Sequence, residues 1–106
     1  MRLHVRKPGL FYKLETAVAD AEELSAGSGD RWAARRIRDE IVPALYEART
    51  HVEVGQVSAP EVRLALSRAA LVAGDLADAN PVFAPLLSRL RLLQEDAANA
   101  GRARRE

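Results

Sequence analysis

Four segments of the chain repeat apolar residues at alternating steps of three and four, the spacing that lines one side of an α-helix. They begin after Pro8, at Asp30, near Ser58 and after Pro81. We call the apolar residues that share this side of a helix its seam. The predicted seam residues are, segment by segment, Leu10, Leu14, Ala17, Ala21 and Leu24; Ala34, Ile37, Ile41, Ala44 and Ala48; Val62, Leu66, Ala69, Ala73 and Leu76; and Phe83, Leu86, Leu90, Leu93 and Ala97. The pattern predicts an all-α fold of four amphipathic helices.

Short connections between the segments leave two arrangements open. One is a four-helix up-down bundle, and the other is two helical hairpins whose core is completed by dimerisation. Leu64 and Leu71 lie seven residues apart opposite the seam of the third segment, and Leu92 lies opposite the seam of the fourth. Because such leucines are not needed for the seam, they indicate either self-association or ordinary scattered surface residues.

Polar residues mark two predicted helix starts. Asp30 follows the glycine-rich stretch AGSG and suits the N-cap of the second helix, since its carboxylate can accept from free backbone N–H groups. Ser58 with Glu61 three residues later predicts a capping box for the third helix.

Two prolines fall where helical spacing continues. Pro43 lies inside the second segment and predicts a kink, because it has no N–H for the preceding turn and its ring crowds that turn. Pro85 lies early in the fourth segment. There, either a short turn precedes a helix that starts near Ala84, or the helix bends.

The two ends of the chain differ from the rest. RLHVR, residues 2–6, alternates polar and apolar residues as a strand does, yet no partner strand is visible in the sequence. A short extended N-terminal arm, residues 1–9, is therefore either disordered or pairs with another chain. The helical domain spans 10–100, and 101–106 is predicted to be a frayed basic tail.

Composition supports this organisation and excludes several functions. The chain has 106 residues, 48% of them hydrophobic and only 5% aromatic, with no cysteine. This favours one soluble helical domain and excludes disulfides and thiol chemistry. No apolar run reaches the ~18 residues that span a bilayer, and the N-terminus lacks the apolar core of a secretory signal. A cytoplasmic protein that does not contact membranes is expected.

Arginines cluster at the start of the second segment, DRWAARRIRDE, although the net charge of the whole chain is only +1. Arg31, Arg35 and Arg38 fall on one stripe, to which Arg49 returns, while Trp32 points away from the seam. Three interpretations are open. The stripe is an ordinary solvated helix face with acidic neighbours, a surface for a partner protein, or a nucleic-acid contact.

Candidate catalytic and metal-binding patterns are weak. His51 follows Glu47 by four residues, but the purely apolar seams offer no further inward ligands for a metal. Nucleophile elbows and phosphate-binding glycine loops are absent from the sequence, and the helices look too long for a helix-turn-helix motif. We therefore expect neither an enzyme nor a cofactor or metal.

The sequence as a whole favours a non-catalytic protein–protein interaction module, such as an adaptor, an assembly component or a regulator. Its partner is another protein or a second copy of the chain in a homo-oligomer. The alternative is a nucleic-acid-binding regulator that uses the arginine-rich helix face. The predicted partner-binding residues are Arg31, Trp32, Arg35, Arg38, Leu64 and Leu71.

Overall fold

A computed structural model describes residues 8–103, with the side chains of 8–100. The elements are, in order, α1 (Gly9–Gly27), α2 (Arg31–Arg36), a π-helical turn (Ile37–Ile41), α3 (Val42–Glu53), α4 (Pro60–Ala79), a 3-10 turn (Pro81–Phe83) and α5 (Ala84–Ala103). The all-α prediction is confirmed, and 8–103 contain no strand. The predicted extended arm falls mostly on residues 1–7, outside the described part of the chain, and α5 continues three residues into the predicted tail.

The helices pack in a closed ring. The segment from α2 to α3, residues 31–53, is one continuous helical rod, which we call the second rod. It packs between α1 and α4, and α5 closes the ring between α4 and α1. Two ion pairs along α1, Lys13 with Asp96 at 2.7 Å and Asp20 with Arg89 at 3.1 Å, show that α5 runs antiparallel to it. One chain thus surrounds a common core with four helical rods, as in a bundle. Completion of the core by dimerisation stays a prediction.

The core is made of the predicted seams. All the seam residues are buried except Leu24 and Ala34, which lie at its edge. Every buried side chain in the described part of the chain is apolar, and Leu14, Ile37, Leu45, Leu66 and Leu90 are among the largest. Burial of this apolar surface is the main source of stability in such a fold.

The chain accommodates Pro43 by widening the helix before it. In the π-helical turn the N–H of Val42 donates to the carbonyl of Ile37, five residues back. The extra residue gives the proline ring more room and relaxes the ordinary α-helical ladder at the point where Pro43 cannot donate. It also shifts the register upstream, so that Ala33 is fully buried where the regular spacing predicted Ala34.

The helix ends match the sequence only in part. The carboxylate of Asp30 accepts from the N–H groups of Trp32 and Ala33 at 2.9 and 3.2 Å, which confirms the predicted cap. The predicted capping box is wrong, because α4 begins one residue later, with Ala59 at the N-cap and no side-chain cap. Between α3 and α4, Gly55 adopts a left-handed φ of 88°, which favours glycine.

The last connection follows the first of the two arrangements proposed for Pro85. Asn80 ends α4, and its side-chain oxygen accepts from the N–H of Val82 at 3.1 Å. The 3-10 turn follows, and α5 then starts at Ala84. Pro85 therefore lies in the first turn of a helix, where its missing N–H costs nothing. This turn carries Phe83 into the core and leaves Val82 exposed.

Candidate functional site

Trp32 lies on the outer surface of α2, as the sequence predicted. Its side chain is 49% exposed although it is the one tryptophan of the chain. The guanidinium of Arg36, one helical turn further on, lies 5.6 Å from the centre of the indole ring. This cation–π contact covers part of the ring and leaves the rest in solvent.

Arg36 also joins the second helical rod to α4. It donates from Nε to Glu40 at 2.8 Å and from Nη1 to Asp75 at 3.0 Å. These hydrogen bonds raise the pKa of Arg36 above its ordinary value, Glu40 contributing most and Asp75 next. The hydrogen bond from Arg36 in turn lowers the pKa of Glu40. All three guanidinium nitrogens of Arg36 thus donate to carboxylates within the fold.

A groove of about 580 Å³ runs beside this ion-pair network, between the second helical rod and α4. We call it the interhelical groove. Its lining residues are Arg36, Asp39, Glu40, Pro43, Ala44, Glu47, Arg68, Leu71 and Val72. Arg68 forms an ion pair with Glu47 across it. The groove therefore combines an apolar floor with charges that are largely paired within the chain.

Leu64 and Leu71 lie on the outer surface of α4, at 63% and 70% exposure. They are two helical turns apart and so share one side of the helix, and Leu71 also lines the interhelical groove. Leu92 is equally exposed, at 60%, but belongs to a different surface. It lies on α5 between Arg89 and Asp96, whose ion pairs reach α1 rather than α3.

The predicted arginine stripe is only partly present. Arg31, Arg35 and Arg38 are all exposed, but Arg38 pairs with Asp39 at 3.1 Å. Arg31 and Arg35 form no ion pair within the described part of the chain. That Arg49 returns to the stripe stays a prediction.

Arg49 contacts α1. Its Nη1 lies 3.5 Å from a carboxylate oxygen of Glu15, and its guanidinium lies 4.8 Å from the ring centre of Tyr46 and 6.0 Å from that of Phe11. The acidic surface of α1 therefore serves as a partner for one arginine of the second rod, as an ordinary helical hairpin would provide.

Charge is divided unevenly along the chain. Residues 8–100 carry ten basic and fourteen acidic side chains, a net charge of −4. The six remaining basic side chains, with one acidic side chain, belong to 1–7 and 101–106. The helical body is therefore acidic although the whole chain is slightly basic, which works against nucleic-acid binding by the body alone.

A second cleft, of about 770 Å³, lies at the end of the bundle where α1 meets the turn before α5. We call it the end cleft. Its apolar lining includes Leu24, Val82 and Phe83, and Asp20, Glu23 and Asp30 are its acidic side chains. Arg89 also lines it and pairs with Asp20. Sequence reasoning missed this cleft because it is formed by residues of two distant turns.

The titratable groups of residues 8–100 lie at the surface rather than converging in an enclosed site. His51 is half-buried, and its Nδ1 lies 2.9 Å from Oε1 of Gln56 at the end of α3. Within the described residues, no group of three or more histidine and acidic side chains could hold a metal ion. Over the same range, no helix has the length and apolarity to cross a lipid bilayer.

Comparison with known proteins adds no family to this description. No protein-family model, no curated protein and no solved structure matches the chain. Function is therefore inferred from the surfaces described above.

Proposed function

We propose that the protein is a non-catalytic protein–protein interaction module that binds its partner along α4 and the interhelical groove. The observation that carries this proposal is the exposure of Leu64 and Leu71, 63% and 70%, on one side of a helix that already buries its seam. Trp32 adjoins the same groove through Arg36. Large apolar side chains that are exposed together favour a contact surface.

The charges beside these residues support the same proposal. Arg36 is held by Glu40 and Asp75, and Arg68 by Glu47, so a partner need not neutralise an unpaired charge when it covers the groove. Covering a surface in which charges are already paired avoids much of the desolvation cost of an isolated ion. The partner that fits is an amphipathic helix of another protein, with its apolar side chains against Leu71 and Pro43.

An affinity-capture experiment with matched variants tests this proposal. The full chain, the double variant Leu64→Ser/Leu71→Ser and the control Leu92→Ser are compared, because Leu92 is equally exposed on another surface. A partner that binds the wild type and the control, but binds the double variant at least about tenfold less, supports the proposal. Equal capture by the double variant would exclude this surface, as would the absence of any partner of the wild type. Circular dichroism checks that all three chains are folded.

The alternative function, a nucleic-acid-binding regulator, draws on a different observation. Arg31 and Arg35 are exposed without an ion pair in the described part of the chain. If they contact phosphates, binding falls steeply as salt is raised, and Arg31→Ala/Arg35→Ala weakens it for all sequences alike. A gel shift with duplex and single-stranded DNA at two salt concentrations is sufficient. Absent or salt-independent binding would exclude this alternative.

A further inference from the structure

The end cleft is a second exposed apolar site, on a different part of the molecule from the interhelical groove. Val82 lines it and is 58% exposed, and the adjacent lining residue Phe83 is buried. Among the side chains that line it, three are acidic and only Arg89 is basic. Asp20 is paired with Arg89, whereas Glu23 has no ion pair within the described part of the chain. The chemistry that suits this cleft is a short segment with apolar and basic side chains together.

The chain contains one segment with that chemistry. Residues 1–7, MRLHVRK, alternate Leu3 and Val5 with basic residues, and Arg2, Arg6 and Lys7 give the segment a side-chain charge of +3. The other basic end, GRARRE, has no apolar side chain larger than alanine. We propose that the end cleft binds the N-terminal segment of a second copy of this chain.

The bundle geometry explains why the second copy, and not the same chain, supplies the segment. Pro8 and Leu24 lie at opposite ends of α1, about 24 Å apart along the axis at 1.5 Å per residue. Val5 and Leu3 precede Pro8 by three and five residues, which span at most about 10 and 17 Å when extended. Even Asp20, the lining residue of α1 nearest to Pro8, is about 18 Å away, so a chain cannot place both its own Leu3 and its own Val5 in its own end cleft. A neighbouring copy has no such restriction.

Sedimentation equilibrium of the full chain at increasing concentration tests the proposal. The wild type is expected to self-associate, and the association is expected to weaken as salt is raised, because unlike charges meet at the rim of the cleft. A mass that stops at twice the monomer indicates reciprocal exchange of segments, and a mass that keeps rising indicates head-to-tail chains; both support the proposal. A chain that is monomeric at every concentration overturns it.

Two variants weaken association at least about tenfold if the proposal is right. Val82→Arg places a positive charge in the lining of the cleft, and Arg2→Glu/Arg6→Glu reverses the charge of the segment. The matched controls are Leu92→Arg, on an exposed site of α5, and Arg104→Glu/Arg105→Glu, in the other basic end. Both controls are expected to associate as the wild type does. Association that survives both cleft and segment variants refutes the proposal.

A mixing experiment shows that two copies are involved. Glu23→Arg alone and Arg2→Glu/Arg6→Glu alone are each expected to associate weakly. Their equimolar mixture is expected to regain association, because the unchanged basic segment of the Glu23→Arg copy meets the unchanged acidic cleft of the Arg2→Glu/Arg6→Glu copy. No recovery in the mixture counts against the proposal. This inference is independent of the proposed function. If Leu64→Ser/Leu71→Ser abolishes self-association while Val82→Arg does not, the copies meet along α4 and the end cleft is not their contact.

Discussion

Leu64 and Leu66 provide an internal test of the fold and of the proposed contact surface together. They are two residues apart in α4, and yet Leu66 is fully buried while Leu64 is 63% exposed. Replacing each with alanine deletes the same atoms from the same helix, so intrinsic helix propensity changes equally in both variants. The difference between the two losses in the free energy of unfolding therefore reports the difference in burial.

The burial of each side chain sets the expected magnitudes. Leu66→Ala leaves a cavity in a core whose buried side chains, among the described residues, are all apolar. It is expected to lower the free energy of unfolding by about 3–5 kcal/mol. Leu64 has a little over a third of its surface removed from water. Because fully burying a leucine is worth about 1.5–3 kcal/mol, Leu64→Ala is expected to cost less than about 1 kcal/mol.

Urea unfolding followed by circular dichroism at low protein concentration measures both values. A loss above about 2 kcal/mol for Leu64→Ala that does not depend on concentration would refute the assignment of Leu64 to the outer surface. A loss that appears only as concentration is raised would instead show that Leu64 is covered by a second copy, since association stabilises the folded state by mass action. Leu92→Ala serves as the exposed control.

Four further changes test local features of the fold. Asp30→Ala removes the cap of α2 and is expected to lower the free energy of unfolding by about 1 kcal/mol and the Tm by about 4–8 °C, measured by thermal melting. Gly55→Ala is expected to destabilise by about 1 kcal/mol because φ is 88°, whereas Gly74→Ala, inside α4 with nothing within 4 Å of an added Cβ, is expected to stabilise by about 0.5–1 kcal/mol. The hydrogen bond from Arg36 lowers the pKa of Glu40 from its ordinary value of 4.5. The contribution of this group to stability is therefore present above pH 4.5 and is lost as the pH falls through the folded-state pKa. Thermal melting is expected to show a lower Tm for Glu40→Gln than for the wild type at neutral pH, and the difference is expected to vanish in acid.

The regular parts of the fold were predictable because one repeating spacing encodes them. Steps of three and four place residues on one side of a helix, and this holds however the neighbouring helices are arranged. The seam residues of α4 and α5 are accordingly all buried. The same argument places Leu64 and Leu71 outside. The argument failed at Ala34. The extra residue in the π-helical turn makes the step before Ile37 four residues instead of three, so the buried residue is Ala33.

Contacts between helices were not predictable in the same way. Arg36 and Glu40 are one turn apart, so their ion pair follows from the sequence. Asp75 is 39 residues further along the chain than Arg36, and its contact depends on the relative shift of two antiparallel helices. Core packing and turns such as the one at Gly55 set the relative shift of the two helices. The spacing of residues within a single helix gives no information about it.

The arginine-rich start of the second rod divides into two chemically different parts once its partners are known. Arg36 donates to Glu40 and Asp75 and lies over the ring of Trp32. Its charge is therefore largely paired, and it forms part of a partly apolar surface instead of attracting an anion. Arg31 and Arg35 keep their charge available, but they belong to a helical body with a net charge of −4. The negative electrostatic field of this body repels polyanions such as nucleic acids. Apolar contacts with Trp32 and Leu71 act at short range and do not depend on that field. The electrostatics and the exposed apolar side chains therefore favour the same type of partner, a protein.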